Sequence, residues 1–152
     1  MNIEKRIKNL NISLLDLDEF NTNREPFSYL SQTLVHVGPA LMSSLIEDKD
    51  SHYTYQHICE SFHHTLGLFL SQLKLSIGSD WNKFIAPNSI NIRTSQALAA
   101  EHFDTFNAYV TQIWDELFDG TEHSCIIEMY GVNRLPQNAL ISISGIFQLR
   151  EE

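Results

Sequence analysis

The sequence predicts an α+β fold: a mostly helical single domain with a C-terminal antiparallel β-hairpin or small sheet packed on the helices. Three observations lead there. Apolar residues recur at three- and four-residue steps through most of residues 1–120, the spacing of one helix face. Beyond Gly120 the period becomes two, with Ile141, Ile143, Phe147 and Leu149 alternating with Ser142, Ser144, Gln148 and Arg150. Finally, 43% hydrophobic and 11% aromatic residues over 152 positions give enough apolar surface for one core. No repeat, low-complexity tract or Pro/Gly/Ser linker divides the chain, so residues 1–152 are expected to form one unit, helical over 1–120 and a hairpin over 124–150.

The elements follow in order. Over residues 1–20, Ile3, Ile7, Leu10, Leu14 and Leu17 keep helical spacing, while Asn9, Asn11 and Ser13 leave a short strand around Ile12 to Leu15 as the competing option. Residues 26–47 read as a second helix, with Pro26 at its first position and a stripe of Phe27, Leu30, Leu34, Val37, Leu41 and Leu45. Gly38-Pro39 inside that stripe predicts a kink or a break into two short helices. Residues 52–77 read as a third helix, with Tyr55, Ile58, Phe62, Leu66, Phe69, Leu73 and Ile77 on one face. Asp50 or Ser51 suits its start and Gly78 its end. Residues 79–93 read as irregular, apart from a short strand permitted by Ile90 and Ile92.

Residues 95–119 carry the clearest helical pattern. Ala99, Phe103, Phe106, Val110, Ile113 and Leu117 step along one seam, with Thr94 or Ser95 as the cap and Gly120 as the stop. The segments 124–130 and 139–150 then read as strands, joined through the turn formers of Gly131 to Asn138.

Met1-Asn2-Ile3-Glu4-Lys5-Arg6 is charged with no apolar run behind it, so no signal peptide is expected, and the apolar run Leu66–Leu70 is too short to span a bilayer. Cys59 and Cys125 lack CxxC or zinc spacing and read as two buried thiols of a cytoplasmic protein. There is no GxSxG elbow, no P-loop and no GxGxxG, so neither nucleophilic catalysis nor nucleotide binding is implied and no cofactor is expected.

Charge is the unusual feature. The chain holds 19 Asp+Glu against 10 Lys+Arg, a net −9, which opposes direct binding of nucleic acid or an anionic membrane. From Arg93 to Arg134 no Lys or Arg intervenes, while Glu101, Asp104, Asp115, Glu116, Asp119, Glu122 and Glu128 all fall there. A turn of about 100° per residue puts Glu101, Asp104, Asp115 and Asp119 opposite the apolar seam, along a ridge about 27 Å long. Asp115, Glu116 and Asp119 sit at the end of the helix where its dipole disfavours acids.

Thr105, Ala108 and Gln112 lie among these acids and would let a partner approach closely. Such a ridge complements a surface built to hold phosphates. In size and charge the chain looks like the acidic immunity proteins and antitoxins that block nucleases. The expectation is a cytoplasmic immunity protein whose partner is a basic toxin nuclease, bound through Glu101, Asp104, Thr105, Ala108, Gln112, Asp115, Glu116, Asp119 and Glu122. The plainer alternative is a ridge that only keeps the protein soluble.

Two further alternatives stand beside it. Glu60-Ser61-Phe62-His63 has the ExxH form of di-iron bundles, so His57, Glu60 and His63, with His102 from another helix, could hold a metal. No second ExxH accompanies them, and solvated histidines explain the same pattern. The last alternative is an oligomeric regulatory or ligand-binding module that pairs through an exposed strand edge.

Overall fold

The computed structural model describes residues 2–16, 26–42, 54–95, 100–118 and 125–151. Three α-helices and a five-stranded mixed sheet make an α+β fold. The helices are α1 (Ile3–Asn9), α2 (Tyr55–Ser76) and α3 (Ala100–Phe118). The strands are β1 (Phe27–Tyr29), β2 (Leu34–Leu41), β3 (Phe84–Thr94), β4 (Ile126–Gly131) and β5 (Ile141–Leu149), in the order β1-β2-β5-β3-β4. Helix takes 44% and strand 31% of the described residues, so the chain is not mostly helical.

Three expectations are corrected. The helix over 26–47 is instead β1 and β2, as far as the described residues go. Its apolar residues fit a 3.6 period, but Val35 and Val37 are buried while Leu34 and His36 are half-buried, which is the alternation of a strand. Gly38-Pro39 makes a bulge in β2 rather than a helix kink, since the pairing with β5 shifts between Val37 and Ala40. Gly38 has φ +93°, and a Cβ there would lie 2.7 Å from the Ile143 carbonyl, so glycine fits both the backbone turn and the space.

The stretch 79–93 is not irregular. A 3₁₀ turn at Trp81–Lys83 leads into β3, an eleven-residue central strand. Pro87 sits at its bulge, where a missing N–H is tolerated. The C-terminal hairpin does not form either. β4 and β5 are both strands, but β3 lies between them, parallel to β4 and antiparallel to β5. A parallel β3–β4 pair needs a crossover of a dozen or more residues, and α3 supplies it.

The helical expectations for the other segments fare better. Among the described residues the first segment is helical over Ile3–Asn9, capped by Asn2, whose side chain accepts from Lys5 N at 3.0 Å. α2 starts at a capping box, in which Thr54 Oγ accepts from His57 N and Thr54 N donates to His57 Nδ1, each at 3.2 Å. Asp50 and Ser51, the expected caps, lie outside the described residues. α3 is described from Ala100, residues 96–99 lying outside the described residues, and Thr94, offered as its cap, is the last residue of β3.

The helices lie on one face of the sheet. Phe69 of α2 packs between Trp114 of α3 and Phe147 of β5, at ring separations of 6.5 and 5.6 Å. Phe62 meets Phe106 edge to face at 5.7 Å. Phe62, Phe69, Phe106 and Phe147 are fully buried, each contributing about 1.5–3 kcal/mol of apolar burial. The segment after α1 crosses the other side of α2, where Leu15 N donates to Ser71 Oγ at 2.8 Å and the His63 ring bonds the Asn11 carbonyl at 3.0 Å. No helix among the described residues is long and apolar enough to cross a membrane.

Candidate functional site

The second face of the sheet carries no described helix. Its side chains follow from strand parity. Ile90 and Ile92 of β3, with Gly145 and Phe147 of β5, point to the helices, since Phe69 lies within 3.3 Å of a Cβ built at Gly145. Their alternates Ser89, Asn91 and Arg93 therefore point the other way, as do Ser142, Ser144, Ile146 and Gln148. The register aligns these residues in rows across the strands. Tyr130, Arg93, Ser142 and Leu41 make one row; Glu128, Asn91 and Ser144 the next; Ile126, Ser89, Ile146 and His36 the third. The middle row is polar, and the rows on either side of it also carry apolar residues, Leu41 in one and Ile126 and Ile146 in the other.

Arg93 is the organised group here. Its Nε donates to the Tyr130 hydroxyl at 2.8 Å, and its guanidinium carbon lies 5.6 Å from the centre of the same ring. One cross-strand neighbour thus orients the guanidinium. A guanidinium held this way suits a planar carboxylate or a phosphate. Beside it Ser142 is buried, and Asn91, Ser144 and Glu128 offer both donors and acceptors. The sequence reading used Arg93 only as the border of the acidic stretch. The Ser142/Ser144 alternation was legible, but which strands flank it was not.

The residues expected to bind a partner separate in two groups. Asp104, Thr105, Ala108, Gln112, Asp115 and Glu116 are all exposed on the outer side of α3, facing away from the sheet. Glu101 lies in α3, but its side chain, together with Asp119 and Glu122, lies outside the described residues. The buried seam of α3 is Phe106, Val110, Trp114, Leu117 and Phe118, while Phe103 and Ile113 are only half-buried.

The residues named for the metal alternative make other contacts in the structure. His57 closes the capping box of α2, His63 holds the Asn11 carbonyl, and His102 stacks on Tyr55 at 5.5 Å. Glu60 accepts from Gln56 at 3.1 Å. No group of three or more His, Cys, Asp or Glu among the described residues is placed to hold a metal ion.

Cys59 and Cys125 are both free and half-buried. Burial pushes the Cys59 thiol up, partly offset by its hydrogen bond with Tyr55. Burial also pushes the Cys125 thiol up, the Trp114 side chain pulling it partly back. Tyr55, beside Cys59, is pushed up to about 12 by burial and by its hydrogen bond with that thiol. None of these environments activates a nucleophile.

No protein-family model and no curated protein matches the sequence. Solved structures do share the fold. A candidate endoribonuclease from Shewanella oneidensis superposes with a TM-score of 0.74 at 14% identity, over 98% of this chain and 100% of that one. The protein Atu1372 of unknown function from Agrobacterium tumefaciens gives a TM-score of 0.73 at 18% identity, over 97% and 94%. E. coli TdcF, solved with bound serine, gives 0.51 at 13% identity, over 91% and 94%. The chain shares the fold of these structures, and that likeness overturns the expectation of a toxin-immunity protein or antitoxin. That expectation weighed charge alone, and net charge bears on association and solubility, not on fold.

Proposed function

We propose that the chain is a ligand-binding module that acts as a homo-oligomer, the sheet face that carries no described helix taking a small carboxylate-bearing molecule with Arg93 as the anchor. The observation that carries this is the Tyr130-oriented guanidinium of Arg93 within rows of Ser142, Asn91 and Ser144. The guanidinium would clamp the carboxylate, and Ser142, Ser144 and Asn91 would read the remaining polar groups. A second copy set against the apolar residues of this face, Leu41, Ile126 and Ile146, would exclude water and strengthen that ion pair. The bound serine of E. coli TdcF, on a shared fold, supports a ligand of amino-acid size.

The other activity named among the neighbours, RNA cleavage, is less favoured by this chain. An RNA track needs several cations, whereas Glu128 lies one row from Arg93 and the chain carries a net −9. The test is calorimetric titration with L-serine and with a short single-stranded RNA, on wild type and Arg93→Gln. Saturable serine binding that falls at least ten-fold in the variant supports the reading. RNA binding without serine binding, or serine binding equal in both proteins, overturns it.

A further inference from the structure

β4 is an edge strand, and its outer backbone is open. Val132 N donates to the Thr94 carbonyl at 2.8 Å, and Thr94 stands in register with Gly131. In a parallel pair that arrangement makes Ile90, Ile92 and Thr94 the β3 residues whose backbone bonds β4. Their alternates bond β5, as Ser95 does through its N–H to the Leu140 carbonyl at 3.0 Å. On β4 the groups that answer are those of Ile126, Glu128 and Tyr130. Ile127, Met129 and Gly131 therefore turn both N–H and C=O away from the sheet, and among the described residues these groups have no backbone partner.

This edge lacks the devices that keep strands apart. β4 is six residues long, pairs with β3 without a bulge, and contains no Lys, Arg or Pro. Ile126 and Tyr130 are two of the five large apolar side chains exposed among the described residues. The opposite edge strand, β1, has only three residues, and shortness is itself a protection.

The open groups of β4 are complementary to themselves. A two-fold axis at Met129 sets Ile127 opposite the partner's Gly131, Met129 opposite the partner's Met129, and Gly131 opposite the partner's Ile127. Each of these pairs joins outward residues and exchanges two backbone hydrogen bonds. An axis at Glu128 would oppose two carboxylates, which is destabilising. An axis at Tyr130 would leave Ile127 unmatched within the strand, and an axis between residues would oppose outward groups to inward ones. The Met129 axis instead sets Glu128 opposite the partner's Tyr130, beside the residue that orients Arg93.

We propose that two copies of this chain pair through β4, antiparallel about Met129, into one continuous sheet. This contact is separate from the sheet-face contact of the proposed function and stands without it. The test is amide hydrogen exchange of the full chain and of Gly131→Pro, which removes an outward N–H and keeps the bonds to β3. The nearest atom to a Cβ at Gly131 is Thr94 Oγ1 at 3.8 Å, so the ring has room. At equal concentration the Ile127 and Met129 amides are expected to exchange at least ten-fold more slowly in the wild type than in the variant. The Glu128 and Tyr130 amides, bonded to β3, should stay protected in both. A crosslink tests the register even where the proline disturbs the fold. With Cys59 and Cys125 replaced by serine, Met129→Cys should join two chains on oxidation with copper phenanthroline at least ten-fold faster than Glu128→Cys. Equal exchange of Ile127 and Met129 in the two proteins, no crosslink through Met129→Cys, or one as fast through Glu128→Cys overturns the proposal.

Discussion

Gly67 marks where two segments touch most closely. The Ser13 carbonyl would lie 2.4 Å from a Cβ at that position, so the crossing of the N-terminal segment over α2 depends on the missing side chain. Gly67→Ala should cost about 1–3 kcal/mol, the range for overpacking, although alanine is the better helix former. Urea denaturation would register this as a lower midpoint, and an unchanged or higher midpoint would refute the close crossing. Tyr55 supplies a second effect at this scale. Its proton is held to about 12 in the folded protein against 10.0 ordinarily, so between those values the unfolded chain has released it and the native state has not. Stability from this group is complete below pH 10 and is lost as the pH rises toward 12. Tyr55→Phe should flatten that alkaline loss. Equal losses in the two proteins, followed by denaturation at pH 9 and pH 11, would contradict the assignment.

At the scale of the element, α3 pairs an apolar seam with an acidic outer side. Asp115 and Glu116 lie near its C-terminus, where the dipole disfavours them. Part of the compensation comes from elsewhere in the chain: Arg6 of α1 donates from Nη1 to the Leu117 carbonyl at 3.4 Å. No inspection of residues 95–119 could reveal that cation, because it is 111 positions away. Asp115→Lys and Glu116→Lys should each raise stability by about 0.3–1 kcal/mol, and Arg6→Ala should lower it by a similar amount. Thermal melts at low ionic strength would measure these shifts, and a fall in melting temperature for both lysine variants would refute the dipole argument.

At the scale of the molecule, the described residues form one layer of helices on a sheet whose other face carries no described helix. The acidic ridge and the Arg93 face point to opposite sides of these layers, so a partner on one does not obstruct the other. On the proposed reading, a second copy covers the sheet face. Ile126, 62% exposed on the edge strand β4, then becomes a border residue of the interface. Ile126→Asp should lower the mass measured by light scattering toward that of one chain, while far-ultraviolet circular dichroism stays unchanged. A wild-type protein that is already monomeric at high concentration would remove this part of the reading.

Local pattern was enough to place α2 and α3, the inward face of β5 and the outward position of Asp104 and Asp115. In each case one stripe or one alternation decides which side of an element is apolar, and burial follows from that. It misjudged residues 26–42, because Phe27, Leu30, Leu34, Val37 and Leu41 satisfy helical spacing while Val35 and Val37 satisfy a strand, and only pairing with β5 selects between them. It missed the length of β3, whose burial depends on neighbours from both sides. Alternation shows that β4 and β5 are strands; it contains nothing about β3 lying between them, because partner choice is a property of the assembled sheet. The Arg93 site was illegible for the same reason. Arg93, Tyr130 and Ser142 are far apart in sequence, and they share one row only because strand register aligns them. The sequence by itself determined which faces of α2, α3 and β5 avoid water. The tertiary structure decided which of the remaining polar residues stand together, because contacts between distant segments carry no local period.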